Sequence, residues 1–458
     1  MTVTLDLRAA AELVAGRLIG AGAGFRDVSI DSRKVVPGSL FVALRGERCD
    51  GHDHVAAAFA AGAVAALVER ELPGLGPLLL VDDSVAALGR LAAGWRARHQ
   101  LPLVAITGST GKTTVKEMVA AILGRRGPVL ATRGNRNNHI GLPLTLLGLD
   151  AGHRAAVIEM GANHPGEIAY LTGLARPSVG VVTNAGPVHL EGFGDVAGVA
   201  RGKGELFAGL DATATAVVNV DDAHAGIWIE LAADRRLLTF GVAADADVTT
   251  DADAVVEVDG LRPRLRFPLV TPLGATDIEL PLAGRHNVAN ALAAAAAALV
   301  AGADLATVRD GLAAVATVPG RLQGIAGPRG SLIIDDTYNA NPTAFAAAIE
   351  LLATRPGRRW LAVGDMAELG DDAPRWHAWV GEQARARGID RLLAVGALAA
   401  RAAAAFGDHG EAFADQQALV AALRDDLDDG VTLLVKGSRA AHMERVVAAL
   451  ADHAGGEG

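Results

Sequence analysis

The chain has 458 residues, 51% of them hydrophobic and 4% aromatic, with a formal net charge of −10. That length makes two to four domains with separate cores, the negative balance argues against a nucleic-acid partner, and no apolar run reaches the ~20 residues of a membrane span. A single cysteine, Cys49, leaves no internal disulfide and fits a reducing, cytoplasmic compartment, while Asp6, Arg8, Glu12 and Arg17 break any signal-peptide core.

Residues 1–98 read as a small α/β domain. A helix is expected over Leu7 to Leu18, strands near Val28–Ile30 and Leu40–Leu44, an Ala-rich helix over His54–Ala66, and strands at Ala65–Val68 and Leu78–Val81. Ser32, Arg33 and Lys34 follow the first strand, where they can hold a phosphate or form an ordinary charged turn. Asp82-Asp83-Ser84 can cap a helix running toward His99, and Gln100-Leu101-Pro102 marks a boundary.

The apolar run Leu103 to Ile106 is a buried strand, and Gly108-Ser109-Thr110-Gly111-Lys112-Thr113 follows it. Then comes a helix with Val115, Met118, Val119 and Ile122 on one face. Strand, glycine loop and helix together form a phosphate-binding loop: backbone N–H groups and the helix N-terminus face phosphate oxygens, Lys112 reaches the terminal phosphates, and the Thr113 hydroxyl can ligate Mg²⁺. The loop is short, G-x-x-G-K-T, with Ile106 where the full pattern has its first glycine. A chance glycine turn is the bland alternative.

Strands and helices alternate onward to about residue 316, as in a mainly parallel sheet. The polar stretch Gly134 to Gly141 is a loop. Buried strands Ala155–Ile158 and Val179–Val182 end at Glu159 and at Thr183-Asn184-Ala185-Gly186, with His189 just beyond. Ligands of open α/β sheets sit outside the carboxyl ends of the strands, so Glu159 and His189 are Mg²⁺-site candidates beside the phosphate loop. A helix-capping acid and a backbone-bonded loop histidine are the alternatives. Lys203 lies on or near a helix; a solvated lysine is its bland reading. Short alternating segments, 254–258, 261–267 and 276–280, form an antiparallel meander, and a long Ala helix follows. In that helix Asn287 and Asn290 share a face and can read a base edge, or Asn287 can cap the helix.

Val318-Pro319-Gly320-Arg321 reads as a hinge. Beyond it strands at 331–334, 360–363, 392–395 and 431–435 alternate with helices, forming a second doubly wound sheet, and Ala454–Gly458 is a frayed tail. Only five residues are lysine, Lys34, Lys112, Lys116, Lys203 and Lys436, although Lys plus Arg total 42. A surviving lysine therefore marks a place for a compact ammonium or a nucleophilic amine. The ten asparagines all fall between Asn135 and Asn341, mostly in tight groups.

These segments together resemble the ATP-dependent Mur ligases of peptidoglycan synthesis. The resemblance covers essentially the whole chain through DSRKVVPGSLFVALRGER, TGSTGKTTVKEM, GNRNNHIGLP, IEMGANHPGEI, HLEGFG, AGRHNVANALAA, VPGRL, DDTYNANP, VGDMAELG and VKGSR. The first of these and the DDTYNANP and VGDMAELG segments point to the D-alanyl-D-alanine-adding branch. His139 stands where the family more often has an acidic residue.

The resemblance implies an α/β chain of three domains: a small N-terminal α/β domain (1–98) holding the UDP-substrate, a central P-loop-type ATPase domain with a mainly parallel sheet and the meander (99–316), and a Rossmann-like doubly wound domain (317–458) that brings the dipeptide and closes on ATP. It implies ATP and Mg²⁺ as cofactors, with two metal sites drawing on Thr113, Glu159, His189 and Lys203. UDP-N-acetylmuramoyl-tripeptide and D-Ala-D-Ala are the implied substrates, and the chain is expected to be a monomer. Gly108, Ser109, Thr110, Gly111 and Lys112 would hold phosphates, Asn290 the adenine, and Arg321 and Asp336 would close onto ATP. Ser32, Arg33 and Asn138 would face the UDP-substrate, and Asn339 and Lys436 the dipeptide. Lys112, Lys203, His189 and Glu159 would carry the chemistry, with Lys203 as a carbamate, an anionic oxygen carrier beside Mg²⁺. Competing readings are a sibling ligase adding one amino acid to a muramoyl peptide or glutamate to a folate, and a nucleotide switch that makes no bond.

Overall fold

The computed structural model describes residues 3–22, 24–47, 49–258, 263–316 and 318–451. Arg48 of the first motif, the beginning of the strand expected over 261–267, and the tail expected to fray over 454–458 lie outside the described residues.

The first 98 residues carry four parallel strands, Asp27–Ser29, Ser39–Val42, Ala65–Val68 and Leu78–Leu80, side by side in that order, with Arg17–Ile19 antiparallel on Leu78–Leu80. Two expected helices are shorter here. The first is Leu7–Val14, because Ala15 turns left-handed (φ 52°) and the chain then pairs as an edge strand. The second is Val55–Ala60; Gly62 at φ 103° ends it and releases Ala65–Val68 to the sheet. Asp83 caps helix Ser84–Arg96 as expected, accepting from the Val85 and Ala86 N–H groups.

The central sheet is wholly parallel, in the order Arg236–Phe240, Thr215–Asn219, Val179–Val182, Leu103–Thr107, Ala155–Glu159, Val129–Ala131. Every residue of LVAIT, AAVIE and VGVV is buried, the pattern of strands covered on both faces. Leu103–Thr107 is first in the chain yet lies between Ala155–Glu159 and Val179–Val182, so connections leave it on both sides and the loop after it opens into a crevice. The meander is present as Val256–Val258, Arg264–Thr271 and Gly274–Leu280, all antiparallel. Alanine's small side chain lets helix His286–Val300 pack close over the sheet.

Past residue 320 a six-stranded sheet runs Gln323–Ala326, Leu332–Asp336, Val431–Lys436, Arg358–Gly364, Arg391–Val395, Gly410–Phe413, parallel except for its first strand. One apolar cluster runs from Val3 through Leu91 and Leu149 to Ala232, so the first two sheets share a core. At that junction Trp95 Nε1 donates to the Leu149 carbonyl at 3.0 Å. The last sheet has its own clusters, one around Phe345 and Leu361 and one around Ile333 and Leu433, which leaves it a separate body. No helix among the described residues is long and apolar enough to cross a membrane.

Candidate active site

Two glycines make the phosphate loop. Gly108 (φ 140°) and Gly111 (φ 79°) hold backbone conformations that L side chains rarely adopt, and a Cβ would stand 2.0 Å from Thr183 Oγ1 at the first and 2.4 Å from Asn290 Oδ1 at the second. The neighbouring strand end pins the loop. Asn184 Oδ1 accepts from the Thr110 N–H (3.0 Å) and hydroxyl (3.1 Å), Thr183 Oγ1 donates to the Thr110 carbonyl (2.6 Å), and the Gly186 N–H donates to Ser109 Oγ (2.9 Å). Lys112 curls back over the loop, its Nζ donating to the Gly108 carbonyl at 2.7 Å and the Ser109 carbonyl at 3.3 Å. Enclosure in the cleft lowers its pKa; Glu159 opposes that shift and Arg321 adds to it. A chance turn would have none of this bracing.

The Thr113 hydroxyl donates to Glu159 Oε2 at 2.8 Å, and Glu159 Oε1 accepts from Asn137 Nδ2 at 2.8 Å. Glu159 is 3% exposed; its carboxylate is aimed by side chains and caps no helix. Two hard oxygens this close, one anionic, suit Mg²⁺, which completes its shell with phosphate and water oxygens. Among the described residues no three His, Cys, Asp or Glu side chains form a ready-made metal cluster.

Lys203 lies on helix Val196–Ala208 but is only 1% exposed, so the solvated-lysine reading is wrong. Its Nζ donates to the Ala162 carbonyl at 2.9 Å and stands 5.1 Å from the Phe193 ring centre. Burial lowers its pKa from 10.5 to about 7; the Lys112 cation pushes the same way, and Glu167 and Glu205 push back. His189, in a left-handed turn (φ 50°), places Nδ1 2.8 Å from Glu368 Oε2 of the last domain. Its ring therefore faces a carboxylate, where a backbone partner was the bland expectation.

From the last domain Arg321 Nη2 donates to Thr113 Oγ1 at 2.9 Å while its guanidinium stacks 4.4 Å from the Tyr338 ring. Asp336 and Lys436 form a pair at 2.6 Å, and Lys436 Nζ also donates to the Asn339 carbonyl at 3.0 Å. Burial raises the Asp336 pKa against the pull of Lys436. Removing the ammonium strands that carboxylate, so Lys436→Met is expected to destabilise the chain by about 3–5 kcal/mol. The check is a lowered calorimetric midpoint that Asp336→Asn, added to it, largely restores.

Asn290 Nδ2 donates to Asn287 Oδ1 (2.8 Å), and Asn287 Nδ2 donates to the Ala283 carbonyl (2.7 Å). The two share a helix face as expected; Asn287 lies inside the helix and does not cap it. Asn138 Oδ1 accepts from the Gly141 N–H (2.8 Å) at the start of helix Gly141–Leu146. A single cleft of about 1260 Å³ is lined by Ser109 to Thr113, Asn138, Glu159, His189, Lys203, Asn290, Arg321, Asp336, Asn339 and Lys436. Gly108 lies beneath its floor. Ser32 and Arg33 are not in its lining: they form an exposed turn capped by Asp31, whose carboxylate Arg33 grips at 2.9 and 3.0 Å. Four contributors were missed from sequence: Thr183, Asn184, Asn137 and Glu368. Asn137 belongs to the tight group Asn135, Asn137 and Asn138, which was the available signal; Asn184 stands apart from the asparagine groups, and nothing local marks Glu368 as the partner of His189.

Three family models match the chain in order. They are the Mur ligase family, catalytic domain at residues 25–96, the Mur ligase middle domain at 106–298, and the Mur ligase, glutamate ligase domain at 320–439. The UDP-N-acetylmuramoyl-tripeptide–D-alanyl-D-alanine ligase of Escherichia coli (strain K12) is 46% identical over 98% of this chain and 99% of its own length. The chain belongs to the Mur ligase family. Among solved Mur ligases, MurF from Acinetobacter baumannii matches at TM-score 0.92 and 35% identity over 98% of both chains. MurF ligase from Thermotoga maritima in complex with ADP matches at TM-score 0.82 and 31% identity over 93% of this chain and 96% of that one.

Proposed function

We propose that this Mur ligase uses ATP to join D-alanyl-D-alanine to UDP-N-acetylmuramoyl-tripeptide, as the E. coli relative's name states for that protein. Residues 1–98 hold the UDP end through the turn at Ser32 and Arg33, helped by the Asn138 loop of the central domain; 99–316 bind ATP, and 317–458 deliver the dipeptide. The carrying observation is one cleft in which the Lys112 loop and the Thr113–Glu159 pair face Arg321 and Asp336 of the last domain.

A carboxylate resists attack by an amine, so the tripeptide carboxylate first takes the γ-phosphoryl group of ATP, forming an acyl phosphate and releasing ADP. The dipeptide amine then attacks the acyl carbon, loses its proton, and phosphate departs as the C–N bond is completed. Lys112 neutralises charge between the two anionic reactants in the first step. Thr113 and Glu159 would hold Mg²⁺, which would supply Lewis-acid neutralisation of the phosphates. Asn290, beside Gly111, faces the adenine, and Asn339 and Lys436 line the dipeptide side. His189 and a carbamylated Lys203 would serve a second metal position. As an ammonium Lys203 is only a donor and cannot ligate, and its buried, readily deprotonated nitrogen suits it to capture CO₂. The enzyme works as a cytoplasmic monomer on this reading.

Given ATP, the tripeptide substrate and a panel of acceptors, the purified enzyme is expected to release phosphate only with D-Ala-D-Ala-like dipeptides. Comparable turnover with a single amino acid would move it to a sibling activity, and hydrolysis without either carbon substrate would make it a nucleotide switch.

A further inference from the structure

Of the five lysines, Lys116 has no part in the mechanism above, yet it is 2% exposed. Burying an ammonium is costly unless its donors are used. Its Nζ donates to the Thr132 carbonyl at 2.7 Å and meets the carboxylate of its neighbour Glu117, also at 2.7 Å. Thr132, itself 2% exposed, follows strand Val129–Ala131, and its hydroxyl accepts from the Glu159 N–H at 3.0 Å. The Glu159 carboxylate in turn accepts from Thr113, which lies three residues before Lys116 and so on the same face of helix Lys112–Gly124. Thr113, Glu159, Thr132 and Lys116 thus form a closed ring with both ends on one helix.

We propose that Lys116 is a positioning residue for the metal pair: through Thr132 it fixes where strand Ala155–Glu159 ends, and hence the distance from the Glu159 carboxylate to the Thr113 hydroxyl. The inference rests on the reading of Thr113 and Glu159 as the Mg²⁺ donors. A buried cation is the right tool here. It grips a carbonyl end-on, and the long stem of a lysine reaches from the helix to the residue that follows the strand. Loosening such an outer partner lowers metal affinity by about 10–100-fold while the ligands stay in place.

The test uses the full-length protein and a fluorescent ADP analogue, titrated with Mg²⁺ and, separately, in EDTA. Lys116→Met and the near-isosteric Thr132→Val are each expected to raise the Mg²⁺ concentration at half-maximal nucleotide binding at least about tenfold. Nucleotide affinity in EDTA should stay within about twofold of the parent, and the double variant should be no worse than Lys116→Met, since both cut one chain. If the parent itself binds the analogue equally with and without Mg²⁺, the metal reading of Thr113 and Glu159 is what fails. If the parent depends on Mg²⁺ and Thr132→Val keeps the same dependence, the positioning role is wrong. Should Lys116→Met not fold, Thr132→Val decides alone. A merely structural lysine would weaken nucleotide binding alike in both conditions, which also overturns the proposal.

Discussion

Lys203→Ala is expected to lower turnover by at least about 10³-fold, the scale of losing a preorganised charged group at a reacting centre, and formate or acetate should restore part of it. The variant leaves a side-chain-sized gap where a buried nitrogen stood 2.9 Å from the Ala162 carbonyl, and a small carboxylate can occupy it. On the proposed reading the same negative oxygens come from CO₂ in the parent: the neutral amine would form an N–C bond, release a proton, and become a carbamate. That step needs an unprotonated nitrogen. An ordinary lysine at 10.5 offers almost none at neutral pH, whereas one lowered to about 7 by burial and by the Lys112 cation is about half neutral there. The sign follows: carbamate occupancy and activity rise with pH through about 7 and fall below it. Carbon-13 NMR with labelled bicarbonate should show a carbamate signal in the parent and none in the alanine variant. Full activity of that variant would exclude the carbamate.

Lys112→Met is expected to cost a comparable factor, on the order of 10³ in kcat, with no rescue by amines. Lys112 is the one ammonium folded over the phosphate loop, held by the Gly108 and Ser109 carbonyls. Methionine keeps the stem and removes the charge, so the loop, pinned independently by Thr183 and Asn184, keeps its shape. The loss should therefore fall on kcat in single-turnover acyl-phosphate formation, with nucleotide affinity changing far less. An equal loss in affinity and kcat would show that Lys112 only binds.

Much of the site was legible in advance. Glycines at 108 and 111, Lys112 and Thr113 sit in a segment whose conformation is set locally, by strand, turn and helix propensities within about 20 residues. The scarcity of lysine marked all five; Lys112, Lys203 and Lys436 reach the cleft, whereas Lys34 lies exposed beside Asp31. Lys116 carries no local signal of a role, because its partner Thr132 follows a three-residue strand too short to show any periodicity. Likewise the two helices drawn too long failed where a left-handed Ala15 and Gly62 end them, a choice made by sheet pairing with Leu78–Leu80 and Ala65–Val68.

The sequence by itself determined the three-part α/β plan and the phosphate loop, because hydrophobic runs, glycines and caps act between near neighbours along the chain. Only the tertiary structure decided which groups meet: Glu159 with Thr113 and Asn137, Arg321 reaching back to Thr113, and Glu368 opposite His189. These contacts join residues up to 208 apart in sequence. They depend on the order in which strands assemble in the sheet and on how the last domain rests against the cleft, and no local pattern of side chains encodes either.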